Sequence, residues 1–349
     1  MVIFLFRKII NNVANNTYFC YNYIRLENEV RLLKRALLWT VFGILVLLSL
    51  FIGVRSFGLI DIIRLEAEAL TLLFKSRFPR TISIIFAGVG MSISGLIMQQ
   101  LSRNKFVSPS TAATLDSAKL GVLIAMILFV SSSIFTRLIV AFIVSMAGTF
   151  LFMRFTSKIK AKNMLLIPLI GIILGTVIDS ITTFIAYRFD LIQTLNSYMV
   201  GDFSLIIAGR YEMLYLVIPL VILAYIYAYR FSVAGMGEDF SKNLGLSYKK
   251  VVNVGLIIVS LVSASVLVTV GSIPFLGLIV PNIVVLYRGD LLKKNITDTA
   301  LFGAIFLLFA DIFGRVIIYP YEIPIGLTIG VLGSIIFTIL LVRKTVYGK

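Results

Sequence analysis

Arg77 and Arg80, in the stretch RFPR beside Lys75, are the first residues here whose type and spacing could do chemistry. Both guanidiniums carry a permanent positive charge, and they stand between two long apolar segments. Asp116, Lys119, Asp179 and Asp311 fall within apolar segments or near their ends. Asp116 and Lys119 are three apart, so on a helix they share a face and can neutralise each other. Asp179 and Asp311 have no partner nearby in sequence. Carboxylates at membrane depth either serve a proton or substrate path or bond neighbouring helices together. The commoner catalytic parts are missing. With no histidine and one cysteine, Cys20, neither a nucleophile–base dyad nor a Cys/His metal site can be built. The phosphate-cradling pattern G-x-x-x-x-G-K-[ST] is absent as well, so any ATP dependence comes from a partner.

The elements that position these groups are set by composition. Of 349 residues, 59% are hydrophobic and only 14% charged, with mean hydropathy +1.03; soluble domains carry roughly 25% charged residues. Apolar runs of about 20 residues recur, each long enough to cross a bilayer, and the alternating segments of about 10 residues that mark a β-barrel do not. The expected fold is an all-α polytopic membrane protein with helices near 36–54, 81–101, 113–130, 135–153, 165–187, 212–230, 251–270, 276–287, 297–314 and 325–342. The third and eighth are short, which suggests tilt or burial behind neighbours. Residues 1–35 read as a cytoplasmic or interfacial extension and 36–345 as the membrane domain. The opening MVIFLFRKII places its apolar run before its charges, the reverse of a signal peptide.

A net charge of +16 would interest a nucleic acid if it were gathered on one surface, but it is spread through the loops between spans. Ten spans put both termini on one side. With that side inside, 22 Lys and Arg are cytoplasmic and nine are outside: Arg55, Arg64, Lys75, Arg77, Arg80, Arg137, Arg188, Arg210 and Arg315. This bias predicts both termini inside. It also puts RFPR outside, where lipid headgroup anchoring or pairing with Glu66, Glu68 or Glu322 are the simple explanations. Glycines at 88, 90, 95, 171, 175, 326, 330 and 333 suggest close helix packing, and prolines 274, 281, 320 and 324 suggest broken helix ends.

Three blocks carry a family resemblance. RFPRTISIIFAGVGMSISGLIMQQLSRNKFVSPSTAA (77–113) resembles an R-x-P-R motif followed by a glycine-rich span. VGSIPFLGLIVPNIVVLYRGD (270–290) resembles a G-x-I-x-F-x-G-L-x-x-P segment, and ADIFGRVIIYPYEIPIGLTIGVLGSIIF (310–337) an A-D-x-x-x-R…E-I-P-x-G block. Together, over roughly 36–345, they look like the FecCD-type permeases of iron-siderophore and cobalamin importers, the type II ABC importers. The resemblance implies ten spans and a homodimer or heterodimer with its pathway along the dimer axis. It also implies two cytoplasmic ATPase subunits that hold ATP and Mg²⁺, an external binding lipoprotein, and no metal or cofactor on this chain.

The same resemblance assigns sites. Arg77, Arg80 and Arg315 would accept carboxylates from the two lobes of the binding protein. GMGEDFSKNLGLSYKK (235–250) would be the coupling loop, a short two-helix elbow seated on the ATPase, with Gly237, Glu238, Asp239, Leu244, Gly245 and Leu246 as contact or shaping residues; an ordinary solvated basic loop is the alternative. Asp179 would face a pathway lined by the fifth and tenth spans. Asn282 and Val285 depart from the histidine and arginine common in the family, with Arg288 beyond. SPSTAATLDSAKLG (108–121) resembles the branch for catecholate-type ferric siderophores; haem or cobalamin is the alternative cargo. The competing class is a proton-coupled secondary transporter using Asp116, Asp179 and Asp311.

Overall fold

The computed structural model describes residues 35–53, 67–129, 133–157 and 166–347. The helices are α1 (Arg35–Phe51), α2 (67–101), α3 (Thr114–Leu128), α4 (Ile134–Thr156), α5 (Leu166–Arg188) and α6 (Ile192–Met199). They continue with α7 (Val217–Ala234), α8 (Glu238–Asn243), α9 (Tyr248–Thr269), α10 (Leu276–Arg288), α11 (Leu292–Val316) and α12 (Ile325–Tyr347). Within the described residues, each apolar run expected to be helical contains a helix. Among the described residues, six segments are long and apolar enough to cross a bilayer: α2, α4, α5, α7 with the 3₁₀ turn Glu212–Leu216 before it, α9 and α11. The helices α1, α10 and α12 are apolar over shorter lengths. The chain divides into two units after Ile44. In the first, Trp39 meets Phe42 edge-on, with ring centroids 5.9 Å apart. The second, Leu45–Lys349, holds all the sites below.

The RFPR stretch corrects the sequence reading. It lies inside a helix rather than ahead of one: α2 runs unbroken from Ala67 through a π turn, Leu73–Arg77, into Phe78–Leu101. Proline supplies no N–H and normally ends or kinks a helix. Here the wider π turn comes directly before Pro79, an accommodation typical of such bulges. Three cations and a proline read as a boundary, and the backbone absorbs them.

Packing centres on α2 and α9. In their most apolar stretches 78% and 72% of residues are buried, against 22% in α5, which keeps a broad open face. Backbone contacts set these distances. A Cβ on Gly95 would overlap the carbonyl of Gly277, and one on Gly88 that of Gly303, so α2 lies directly against α10 and α11. Gly171 and Gly175 of α5 face the Thr111 carbonyl and the Asp116 carboxylate. Gly330 differs from its expected packing role: a Cβ added there would meet no other helix within 4 Å.

Candidate functional site

Arg77, Arg80 and Arg315 come together at the amino-terminal half of α2. They are buried, only 6%, 8% and 3% exposed. Arg80 bridges two carboxylates, donating from Nη2 to Asp311 Oδ1 at 2.9 Å and from Nη1 to Glu322 Oε2 at 2.6 Å. Arg315, one turn beyond Asp311 on α11, pairs with the other oxygen of that carboxylate. Its Nη1 also donates to the carbonyls of Ser49 and Ile52, both at 2.9 Å. Arg77 donates to the Ile52 carbonyl as well. The last carbonyls of a helix have no donor within it. Two guanidiniums meet that need at Ser49 and Ile52, tying this stretch of the second unit to α2 and α11. Of the simple explanations for these cations, pairing with Glu322 is what Arg80 does; Glu66 and the side chain of Glu68 lie outside the described residues.

The elbow sits at the other end of α2. A helix rises about 1.5 Å per residue, so Arg80 and Leu101 are roughly 30 Å apart along α2, about a hydrocarbon thickness. The expected two-helix elbow is one six-residue helix, α8, with the α9 helix starting at Tyr248 directly after the turn. Gly237 enters at φ +121° and Gly245 leaves at φ +74°, both in the left-handed region that favours glycine. Ser241 is buried and donates to the carbonyls of Val233 (3.1 Å) and Gly237 (2.6 Å), fastening α8 to the end of α7. Glu238 and Lys242 pair at 2.9 Å across one turn. The hydrogen bond from Lys242 holds the Glu238 carboxyl below its ordinary range, and that same bond raises the ammonium. Asp239, Leu244 and Gly245 are exposed and Leu246 is half-buried; Met236 and Phe240 add apolar surface. A cavity of about 360 Å³ opens beside them, lined by Gln100, Arg103, Met236 and Asp290 among others.

Asp179, in the middle turns of α5, is half-exposed on that helix's open face. The expected Asp116–Lys119 pairing is replaced: Lys119 Nζ bonds Asp179 Oδ1 at 2.7 Å. Asp116 is turned instead toward Gly175. The hydroxyls of Thr176 and Ser180 beside Asp179 each donate back to the carbonyl four residues earlier, at 2.9 and 2.8 Å, which spares them an unmade bond in lipid.

Asp311 is the residue whose part in the arginine cluster the sequence reading missed, whereas Glu322 was among the partners it named. The Asp311–Arg315 spacing of four was a usable signal; the approach of Arg80 was not. Asn282, at the departing position, donates to the Lys105 and Leu278 carbonyls at 2.8 and 2.7 Å, joining α10 to the loop after α2. Arg288 pairs with Asp298 at 2.5 Å.

Known proteins agree with this architecture. The petrobactin import system permease protein YclN of Bacillus subtilis is 55% identical over 316 residues, covering 90% of this chain and 100% of that one. The ferric-anguibactin transport system permease protein FatD of Vibrio anguillarum is 38% identical, covering 84% and 94%. An inward-facing metal-chelate type ABC transporter superposes with TM-score 0.73 over 88% of this chain and 97% of that one, at 22% identity, so the fold is shared. Residues 41–343 match the FecCD transport family. The chain therefore belongs to the FecCD transport family, as a multi-pass permease subunit of an ABC importer in the cytoplasmic membrane whose ATPase is a separate subunit.

Proposed function

We propose that this permease carries a ferric siderophore, of catecholate type, inward along the axis of a dimer formed with an identical or paralogous permease. The near full-length identity to a petrobactin permease carries the reading, ahead of haem or cobalamin. The end bearing Arg77, Arg80 and Arg315 faces outward and receives carboxylates of a binding lipoprotein; the elbow at 237–246 faces inward and seats on an ATPase dimer that holds ATP and Mg²⁺. The opposite placement of the two sites on α2 supports this, as does the charge bias of the loops. The open face of α5, with Asp179, lines the path.

A proton relay through Asp116, Asp179 and Asp311 is less favoured by the geometry. Asp311 is held by two guanidiniums and Asp179 by an ammonium, so both are engaged as ties between helices. Cargo is tested by competition: cells lacking their own siderophore permeases are given this chain with its partners and labelled ferric petrobactin. Uptake should be competed by unlabelled ferric catecholates and not by haem or cobalamin. Competition by haem or cobalamin alone would reject the cargo assignment.

A further inference from the structure

The docking reading meets an obstacle in the arginine cluster: the guanidinium that should receive a partner's carboxylate already holds two. The two are not equivalent. The Asp311 side chain is 3% exposed and is gripped by both Arg80 and Arg315. The Glu322 side chain is 20% exposed, and its one ion pair among the described residues is with Arg80, at 2.6 Å. Glu322 is the arm that can be exchanged.

Its position gives the exchange a consequence. Glu322 lies on the turn between α11 and α12. The Arg80 pair ties this turn to α2, and the Ile323 N–H ties it to α11 through the Gly314 carbonyl at 3.0 Å. Tyr319 and Tyr321 beside it are 65% and 75% exposed, so this surface is open to a partner. Pro324 follows, and α12 begins at Ile325. Moving Glu322 off Arg80 removes one of the ties that seat the start of α12.

We propose that Glu322 is an internal stand-in for the docking partner's carboxylate, which displaces it from Arg80 and thereby frees the turn leading into α12. This rests on the docking reading given above. The exchange leaves Arg80 with two carboxylates before and after, so it costs little electrostatically. It moves Glu322 into water and couples an event on the outside to a helix beside the proposed path. A ligand shifts a conformational equilibrium only through a difference in its interactions with the two states; here the difference is which carboxylate Arg80 holds.

The test uses the complete transporter in nanodiscs, with the binding lipoprotein of the same import system titrated at low and high salt. Wild-type docking should weaken as salt rises. Glu322→Gln should lower Kd roughly two- to fivefold, the scale of one partly exposed ion pair no longer contested, with Glu322→Asp showing a smaller gain. Salt-sensitive docking with an unchanged or raised Kd in Glu322→Gln would overturn the stand-in and leave the docking reading in place. Salt-insensitive docking would remove the docking reading and the stand-in with it. Failure of Glu322→Gln to assemble with its ATPase would also overturn the proposal, because an exchangeable arm is dispensable for the fold.

Discussion

Lys119 of α3 and Asp179 of α5 meet at 2.7 Å, sixty residues apart in sequence. The lysine side chain is 15% exposed and the aspartate 43%, so the buried partner depends on the open one. Asp179→Asn removes the carboxylate that bonds the Lys119 ammonium at membrane depth. The expected loss is about 1–2 kcal/mol, below the figure for a fully buried pair because Asp179 is half-open. Thermal unfolding in detergent should show it, and adding Lys119→Met should recover most of the loss. Equal stability of Asp179→Asn and wild type would dismiss the pair as a tie between the helices.

Asp311 serves two guanidiniums, so removing its charge has a larger effect than any other single change in the cluster. Asp311→Asn is expected to cost about 3–5 kcal/mol, the scale for stranding a buried charge. Reversing Arg80 to Glu would place three carboxylates together and is expected to lower expression before docking can be measured. Gly53→Ala drives a Cβ into the Arg77 guanidinium and should loosen the end of α1. Amide exchange near Ser49 and Ile52 reports that loosening, and unchanged protection in Gly53→Ala would contradict it.

The two glycines of the elbow should respond unequally. At φ +121° and ψ +165°, Gly237 occupies a region nearly closed to other residues, so Gly237→Ala costs about 1–3 kcal/mol of local order. The new Cβ would also come within 3.2 Å of Arg103. Gly245 has open space around it and φ +74°, for which alanine costs about 1 kcal/mol. Gly237→Ala should reduce cargo moved per ATP hydrolysed much more than Gly245→Ala; the reverse order would reject the elbow as the coupling element.

The Glu238–Lys242 pair fixes a pH window. The Glu238 carboxyl is depressed below 4.5, so its contribution is present above that value and lost as pH falls through the lower folded value. The Lys242 ammonium is raised above 10.5, so its contribution is present below that value and lost as pH rises through the folded one. Protection of 238–243, corrected for intrinsic exchange, should therefore be flat across neutral pH. A step near neutrality would mean that another group governs the elbow.

Much of the fold was legible because a helix in lipid must satisfy its own backbone, leaving long apolar runs as its record. Ranges such as 165–187 and 325–342 lie within a few residues of α5 and α12. Local chemistry was legible too: Gly237 and Gly245 do bracket the elbow. The reading failed where distant segments decide. RFPR resembles a boundary, and the π turn that carries α2 through it has no sequence mark. Lys119 has Asp116 one turn away but bonds Asp179, because Gly175 leaves room for the Asp116 carboxylate against α5. Arg80 meets Asp311 across more than two hundred residues, a distance at which spacing carries no information.

Transport by purified components separates an ATP-driven permease from a proton-coupled one. The chain is reconstituted in liposomes with and without its ATPase, and entry of ferric siderophore from its binding lipoprotein is followed under ATP or under an imposed proton gradient. The account predicts entry only with the ATPase and ATP present, unaffected by an uncoupler. Accumulation driven by the proton gradient, with no ATPase in the membrane, would contradict it.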